Sequence, residues 1–198
     1  MTKTICIIQG HPHSDPKRLC HALARSYAEG AKQAGAKIET IDLGAAEIAM
    51  LRNPADFMTA PAPAIVKAQE TVTRAHHVVV IYPLWLGTMP AVVKAFFEQL
   101  SRNEFAIGRS DKGWPRKMLT GRSARVIVTM GMPAAAYKLF FGAHGVRGFE
   151  SGVLAMAGFK PVKETLIGGI GELTQKRAGA LFERMRTLGA RDAGLKKK

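Results

Sequence analysis

Three short segments of this chain concentrate residue types that hold or transform a small ligand. The first reads Gly10-His11-Pro12-His13-Ser14-Asp15-Pro16-Lys17-Arg18-Leu19-Cys20, between an apolar run and the start of a helical stripe. A helix N-terminus presents backbone N–H groups with no intrahelical partner. With Lys17, Arg18 and His11 beside it, such a turn suits a phosphate. The same composition also describes a polar capping loop. The segment has neither the Gly-x-Gly-x-x-Gly of a dinucleotide fold nor the Gly-x-x-x-x-Gly-Lys-Ser/Thr of a nucleotide triphosphatase.

The second segment is Pro83-Leu84-Trp85-Leu86-Gly87-Thr88-Met89-Pro90. A tryptophan and two leucines between prolines are costly to leave in water. They suit the underside of a flat aromatic ligand, with backbone groups reading its polar edge. A hydrophobic turn packed on a neighbouring helix or subunit accounts for them equally well. The third is Thr129-Met130-Gly131-Met132-Pro133 and its continuation to Tyr137. Gly131 lets the backbone approach a ligand closely, and Tyr137 is placed to cap or hydrogen-bond a ring. His144, a little downstream, is a candidate proton donor or charge stabiliser.

These segments need a scaffold, and the apolar patterning supplies one. Residues 4–9, 37–43, 77–82, 124–130 and 161–167 are short apolar or β-branched runs that read as strands, 77–82 most strongly as a central one. Helices are expected at 18–34, 65–74, 91–100, 148–158 and 172–188. In the last of these, Leu173, Ala180, Leu181, Met185 and Leu188 are the candidate inward positions. Residues 44–64 and 101–121 read as irregular excursions. Buried strands alternating with helices give a doubly wound α/β sandwich with a five-stranded parallel sheet and helices on both faces. In such a sheet ligands bind beyond the carboxyl ends of the strands, where all three segments fall.

Length and composition narrow the function classes. The 198 residues, 47% hydrophobic and 22% charged, suit one domain over the whole chain. No long uncharged apolar stretch suggests a membrane span, and the N-terminus lacks the pattern of a secretory signal, so a cytoplasmic location is expected. Cys6 and Cys20 suggest neither a disulfide scaffold nor a metal site. The formal charge of +14, from 29 Lys+Arg against 15 Asp+Glu, favours anionic ligands. Its densest run, Lys196-Lys197-Lys198, reads as a solvated tail. No zinc-finger or single-strand-binding signature points to nucleic acid, and without a Gly-x-Ser-x-Gly a serine hydrolase is not indicated.

Taken together, the chain resembles the NAD(P)H:quinone oxidoreductase family of flavoproteins, from Ile5 to about Gly169. The resemblance rests on His11-Pro12, on Tyr82-Pro83-Leu84-Trp85, and on Pro90-Ala91-x-x-Lys94-Ala95-Phe96-Phe97. Gly113-Trp114-Pro115 and Tyr137 add to it. It implies a flavodoxin-like fold and an enzyme that passes two electrons from NADPH or NADH to a quinone or similar aromatic acceptor in a ping-pong cycle. It implies FMN, with FAD as the alternative. The flavin phosphate falls to His11, Lys17, Arg18, Leu19 and Cys20. The flavin ring falls between Pro83, Leu84, Trp85, Leu86 and Gly87 on one side and Thr129, Met130, Gly131 and Met132 on the other. Tyr137 and His144 take the catalytic positions. The family pattern is broken in two places: Met130 and Met132 stand in a Thr-Thr-Gly-Gly element, and Cys20 stands where Asn is common. Members are usually homodimers, and Phe96, Phe97, Phe140 and Phe141 are the interface candidates. Some members are regulatory partners of potassium efflux transporters, an alternative role. A one-electron flavodoxin-like carrier is another, although those carriers are normally acidic.

Overall fold

The computed structural model describes residues 2–110 and 113–194, so the Lys196-Lys197-Lys198 tail lies outside the described residues. Five parallel strands form the sheet: β1 (Thr4–Gln9), β2 (Lys37–Asp42), β3 (His77–Pro83), β4 (Ser123–Thr129) and β5 (Val162–Ile167). Their spatial order is β2-β1-β3-β4-β5. The order reverses between β1 and β3, which opens a crevice at their carboxyl ends. This is the doubly wound flavodoxin-like arrangement expected from the sequence.

The side-chain alternation of each strand sorts the core into two layers. Ile5, Ile7, Val79, Ile81 and Ile127 face one side, with Leu23, Tyr27 and Met185 packed on them. Cys6, Ile8, Val78, Val80, Tyr82, Val126 and Val128 face the other, against Val72, Phe96 and Phe149. Because β1 and β3 are buried on both faces, their sequences are nearly continuous apolar runs rather than alternating ones. Each such side chain, fully buried, contributes about 1.5–3 kcal/mol.

Helices α1 (Leu19–Gln33) and α6 (Gln175–Ala193) cover the first face; α2 (Pro63–Arg74) and α3 (Ala91–Leu100) help to cover the second. The α1–α6 seam requires glycine. A Cβ at Gly30 would stand 1.9 Å from the Arg186 carbonyl oxygen, and one at Gly189 would stand 2.0 Å from that of Tyr27. Beneath the seam, Tyr27 donates to the Asp192 carboxylate at 2.7 Å, Arg125 grips the same carboxylate through Nε and Nη2, and His77 Nε2 stands 3.4 Å from it. All four residues are buried.

Several elements differ from expectation. Residues 134–140 form a short helix, α4 (Ala134–Phe140). The next helix, α5 (His144–Phe149), begins four residues before the expected start at 148, and continues through a wider π turn, Glu150–Ala155. α6 extends to Ala193, and Ala180 is exposed rather than inward, whereas Met185 is fully buried. Residues 101–121 include a two-stranded ribbon pairing Ile107 with Lys117 and Gly108 with Arg116.

Candidate functional site

The three chemically suggestive segments lie at the carboxyl ends of β1, β3 and β4, on either side of the switch point. The first is drawn into a tight turn by its own side chains. His13 N–H donates to His11 Nδ1, Asp15 N–H to His13 Nδ1, and Lys17 N–H to Asp15 Oδ1. His21 Nε2 meets the His13 carbonyl at 3.0 Å and ties the turn to α1. Gly10 anchors its base, with its N–H on the Ile81 carbonyl at 2.7 Å and no room for a Cβ against Val93 and Tyr82. α1 itself starts with no side-chain cap and no acid in its first turn. Its first N–H groups therefore present partial positive charge beside the exposed Lys17 and Arg18. Burial, with His21, Arg18 and His13 adding repulsion, holds the His11 imidazole below its ordinary range.

Leu19 and Cys20 sit on the first turn of α1. Cys20 is buried, and its thiol lies 3.5 Å from Thr129 Oγ1, which joins the first segment to the third. Burial pushes that thiol up to about 11, opposed by the Thr129 contact.

After β3, the Leu84 N–H donates to the Thr129 carbonyl at 2.7 Å. Residues 85–88 then close a hairpin turn in which Trp85 and Thr88 exchange backbone hydrogen bonds. Both central residues are left-handed, Leu86 at φ 48° and Gly87 at φ 79°. Gly87 accepts that geometry freely, whereas Leu86 does so at a cost. Leu86 is also fully exposed, and Trp85 is half-exposed with its ring edge-on to His11 at 6.5 Å between centroids.

The third segment runs from the buried Thr129 and Met130 to the exposed Gly131 and Met132. A Cβ at Gly131 would meet nothing within 4 Å, so this wall of the crevice is open. Tyr137 then closes one side. It is buried, and its hydroxyl donates to the Gly87 carbonyl at 2.8 Å. Burial raises its pKa, while the Val146 and Gly145 N–H groups oppose the rise. The phenol therefore stays protonated at neutral pH. α5 presses against the same turn: a Cβ at Gly145 would stand 2.3 Å from the Gly87 carbonyl oxygen. His144 is exposed at the start of α5, and its ring lies over Gly142.

Thus the structure brings His11, Lys17, Arg18, Leu19, Cys20, Pro83 to Gly87, Thr129 to Met132 and Tyr137 to the strand ends, and leaves His144 exposed at the start of α5 with its ring over Gly142. Gly145, which seats α5 on the turn, and His21, which holds the first loop, were not anticipated. Gly145 meets a turn far away in sequence, which no local pattern signals, whereas His21 reaches the nearby His13 from the first turn of α1.

A family model described as flavodoxin-like fold matches residues 3–188. The chain belongs to the flavodoxin-like fold family. The ribosyldihydronicotinamide dehydrogenase-like protein traD of Penicillium crustosum is 27% identical to this flavodoxin-like chain, covering 79% of it and 69% of the fungal protein. Smu.1420 from Streptococcus mutans superposes with a TM-score of 0.81 at 22% identity, over 95% of this chain and 99% of that one. The NAD(P)H:quinone oxidoreductase from Methanothermobacter marburgensis gives 0.77 at 19% identity, over 96% of each chain. An FMN-dependent NADH-azoreductase from Bacillus anthracis, in complex with FMN, gives 0.76 at 14% identity, over 98% and 100%. These superpositions establish that the flavodoxin-like architecture is shared along nearly the whole chain. Among the described residues no helix is long and apolar enough to cross a membrane, and no cluster of metal-ligating side chains occurs.

Proposed function

We propose that the chain is a single flavin-binding unit and an NAD(P)H dehydrogenase, which carries two electrons to quinones or related flat aromatic acceptors. The observation that carries this reading is the pairing, at the switch point, of an uncapped, cation-flanked helix N-terminus with the exposed Trp85-Leu86-Gly87 turn. One side suits a phosphate, and the other a flat ring. Gly131 leaves the opposite wall open, so the residues present fit FMN. The names of two structural relatives, a quinone oxidoreductase and an azoreductase holding FMN, point the same way.

In this reading His11, Lys17, Arg18 and the N–H groups of Leu19 and Cys20 hold the phosphate. Residues 83–87 and 129–132 hold the ring. When bound, FMN supplies the capacity to accept hydride from NADPH or NADH and to release two electrons to the acceptor. The chain supplies orientation and local charge. Tyr137 is protonated, buried and fixed between Gly87 and α5, with its one O–H on the Gly87 carbonyl, so it donates toward negative charge developing beside it by turning away from that carbonyl. His144, exposed at the start of α5, is the second candidate donor. The exposed Leu139, Phe140 and Phe141 of the α4 region support a homodimer in which a second copy narrows the crevice. Phe96 and Phe97, interface candidates by sequence, are buried core residues and drop out of that role.

The test is the absorbance spectrum after incubation with FMN or FAD, then anaerobic NADPH or NADH. Rapid bleaching of bound flavin supports the reading and names the donor. Flavin bound yet untouched by both moves the function to a carrier, or to a regulatory partner of a membrane transporter. No flavin binding overturns it.

A further inference from the structure

The crevice wall that follows β4 is itself held from behind. Arg177 is exposed on the first turn of α6, and its guanidinium grips two adjacent carbonyls beyond β5. Nη1 donates to Gly169 at 2.7 Å and Nη2 to Gly168 at 2.6 Å. A planar fork on two acceptors fixes direction as well as distance. The gripped turn in turn grips the wall. The Gly169 N–H donates to the Met132 carbonyl at 2.9 Å, and the Ile170 N–H to that of Met130 at 3.3 Å. The fit is close: a Cβ at Gly168 would stand 2.2 Å from the Ala134 nitrogen and 2.6 Å from the Met132 carbonyl oxygen.

Peptide planarity carries this grip into the crevice. In a trans peptide the N–H points opposite to the C=O that shares its plane. Met130 turns its own N–H to the Ile167 carbonyl and its C=O to Ile170, both toward β5. The Gly131 N–H, across the same trans peptide from the Met130 C=O, therefore points the other way. That is the side on which the Thr129 carbonyl meets the Leu84 N–H, where the Trp85-Leu86-Gly87 turn begins. No carbonyl among the described residues accepts from the Gly131 N–H. It is a donor whose aim is set by a residue two contacts away.

We propose that Arg177 is a positioning residue for the crevice. Through the 168–170 turn it fixes the aim of the Gly131 N–H, and with it how strongly the wall favours negative charge on a ring beside it. The ligand is taken from the flavin reading, whereas the aim of the N–H belongs to the free chain.

The test therefore has two halves. In the flavin-free chain, amide relaxation by NMR should give Gly131 an order parameter near the rigid value of about 0.85, falling below about 0.6 in Arg177→Gln. Arg177→Lys, which still donates to a carbonyl, should restore part of it. With flavin, Arg177→Gln should weaken FMN and riboflavin alike, about threefold by fluorescence titration. It should also lower the two-electron potential by about 15–30 mV, a three- to tenfold loss of preference for the reduced form. Arg186→Gln removes the same charge from the same helix, where Arg186 pairs with Glu29 and Glu183, and should change none of these readouts. An equally ordered Gly131 amide in wild type and Arg177→Gln overturns the proposal, whether or not flavin binds. A loss seen with FMN and absent with riboflavin overturns it by putting the guanidinium on the phosphate. An equal potential shift in Arg186→Gln overturns it by reducing the effect to net charge. A loosened amide in Arg177→Gln, in a chain that binds no flavin, supports the positioning role and overturns the flavin reading instead.

Discussion

At the scale of single residues, burial decides which reactive groups take part in chemistry. Cys6 and Cys20 are both buried, and burial pushes their thiols up to about 12 and about 11. Neither supplies a thiolate at neutral pH, so Cys20 packs and hydrogen-bonds rather than attacks. Iodoacetamide at pH 7.5 should leave the native chain unmodified and add two labels after denaturation, counted by mass spectrometry. Asp192 is the opposite case. It is buried, which by itself would raise its pKa, yet Arg125 and His77 hold its carboxyl well below the usual range. A depressed carboxylate stabilises the fold above its unfolded pKa of about 3.9 and loses that contribution as pH falls toward the folded value. Urea midpoints should therefore drop below about pH 4, and Asp192→Asn should flatten part of that slope. The variant also leaves Arg125 without its counter-charge, and should cost about 3 kcal/mol at pH 7.

At the scale of elements, the turn after β3 stands out because it is strained where it is exposed. Leu86 adopts a left-handed φ of 48° with no packing to compensate. The left-handed pair closes the Trp85–Thr88 turn, and it holds the Leu86 side chain out where a ligand can meet it. Leu86→Asn should raise the free chain's stability by up to about 1 kcal/mol, since Asn tolerates this region better. It should also weaken FMN binding, measured by flavin fluorescence. A stability gain with unchanged flavin affinity would make the strain irrelevant to the site. How legible each element was follows from its patterning. β1 and β3 each hold a continuous apolar run, Ile5 to Ile8 and Val78 to Tyr82, and were placed within a residue; α3, opened by Pro90, was placed to the residue. α4 was missed because Leu139 and Phe140 are exposed, so its apolar residues trace no buried stripe. The start of α5 was misplaced because a left-handed Ala143 precedes it, a position where sequence leads one to look for glycine or asparagine.

At the scale of the whole molecule, the strand-end position of the site followed from topology alone, since alternating strands and helices leave one open end at a switch point. What sequence did not show were contacts closed over long separations: Tyr137 on Gly87, Gly145 against the same turn, Arg125 of β4 on Asp192 of α6. Net charge also acts at this scale. In the proposed reading a field from +14 formal charges would draw in the donor's phosphates, and it is screened beyond about 10 Å at 0.1 M salt. Raising salt from 10 to 200 mM should lower kcat/KM for NADPH several-fold, and more than for NADH, which lacks the extra phosphate, as stopped-flow reduction would show.

The chain has two tryptophans, Trp85 beside the crevice and Trp114 exposed in the excursion after α3. Trp85 is thus a built-in optical reporter for the crevice. Flavin arriving beside it should extinguish its emission by energy transfer. Replacing Trp114 by phenylalanine leaves a single lamp, so that occupancy of the crevice can be followed in one cuvette, without any attached dye.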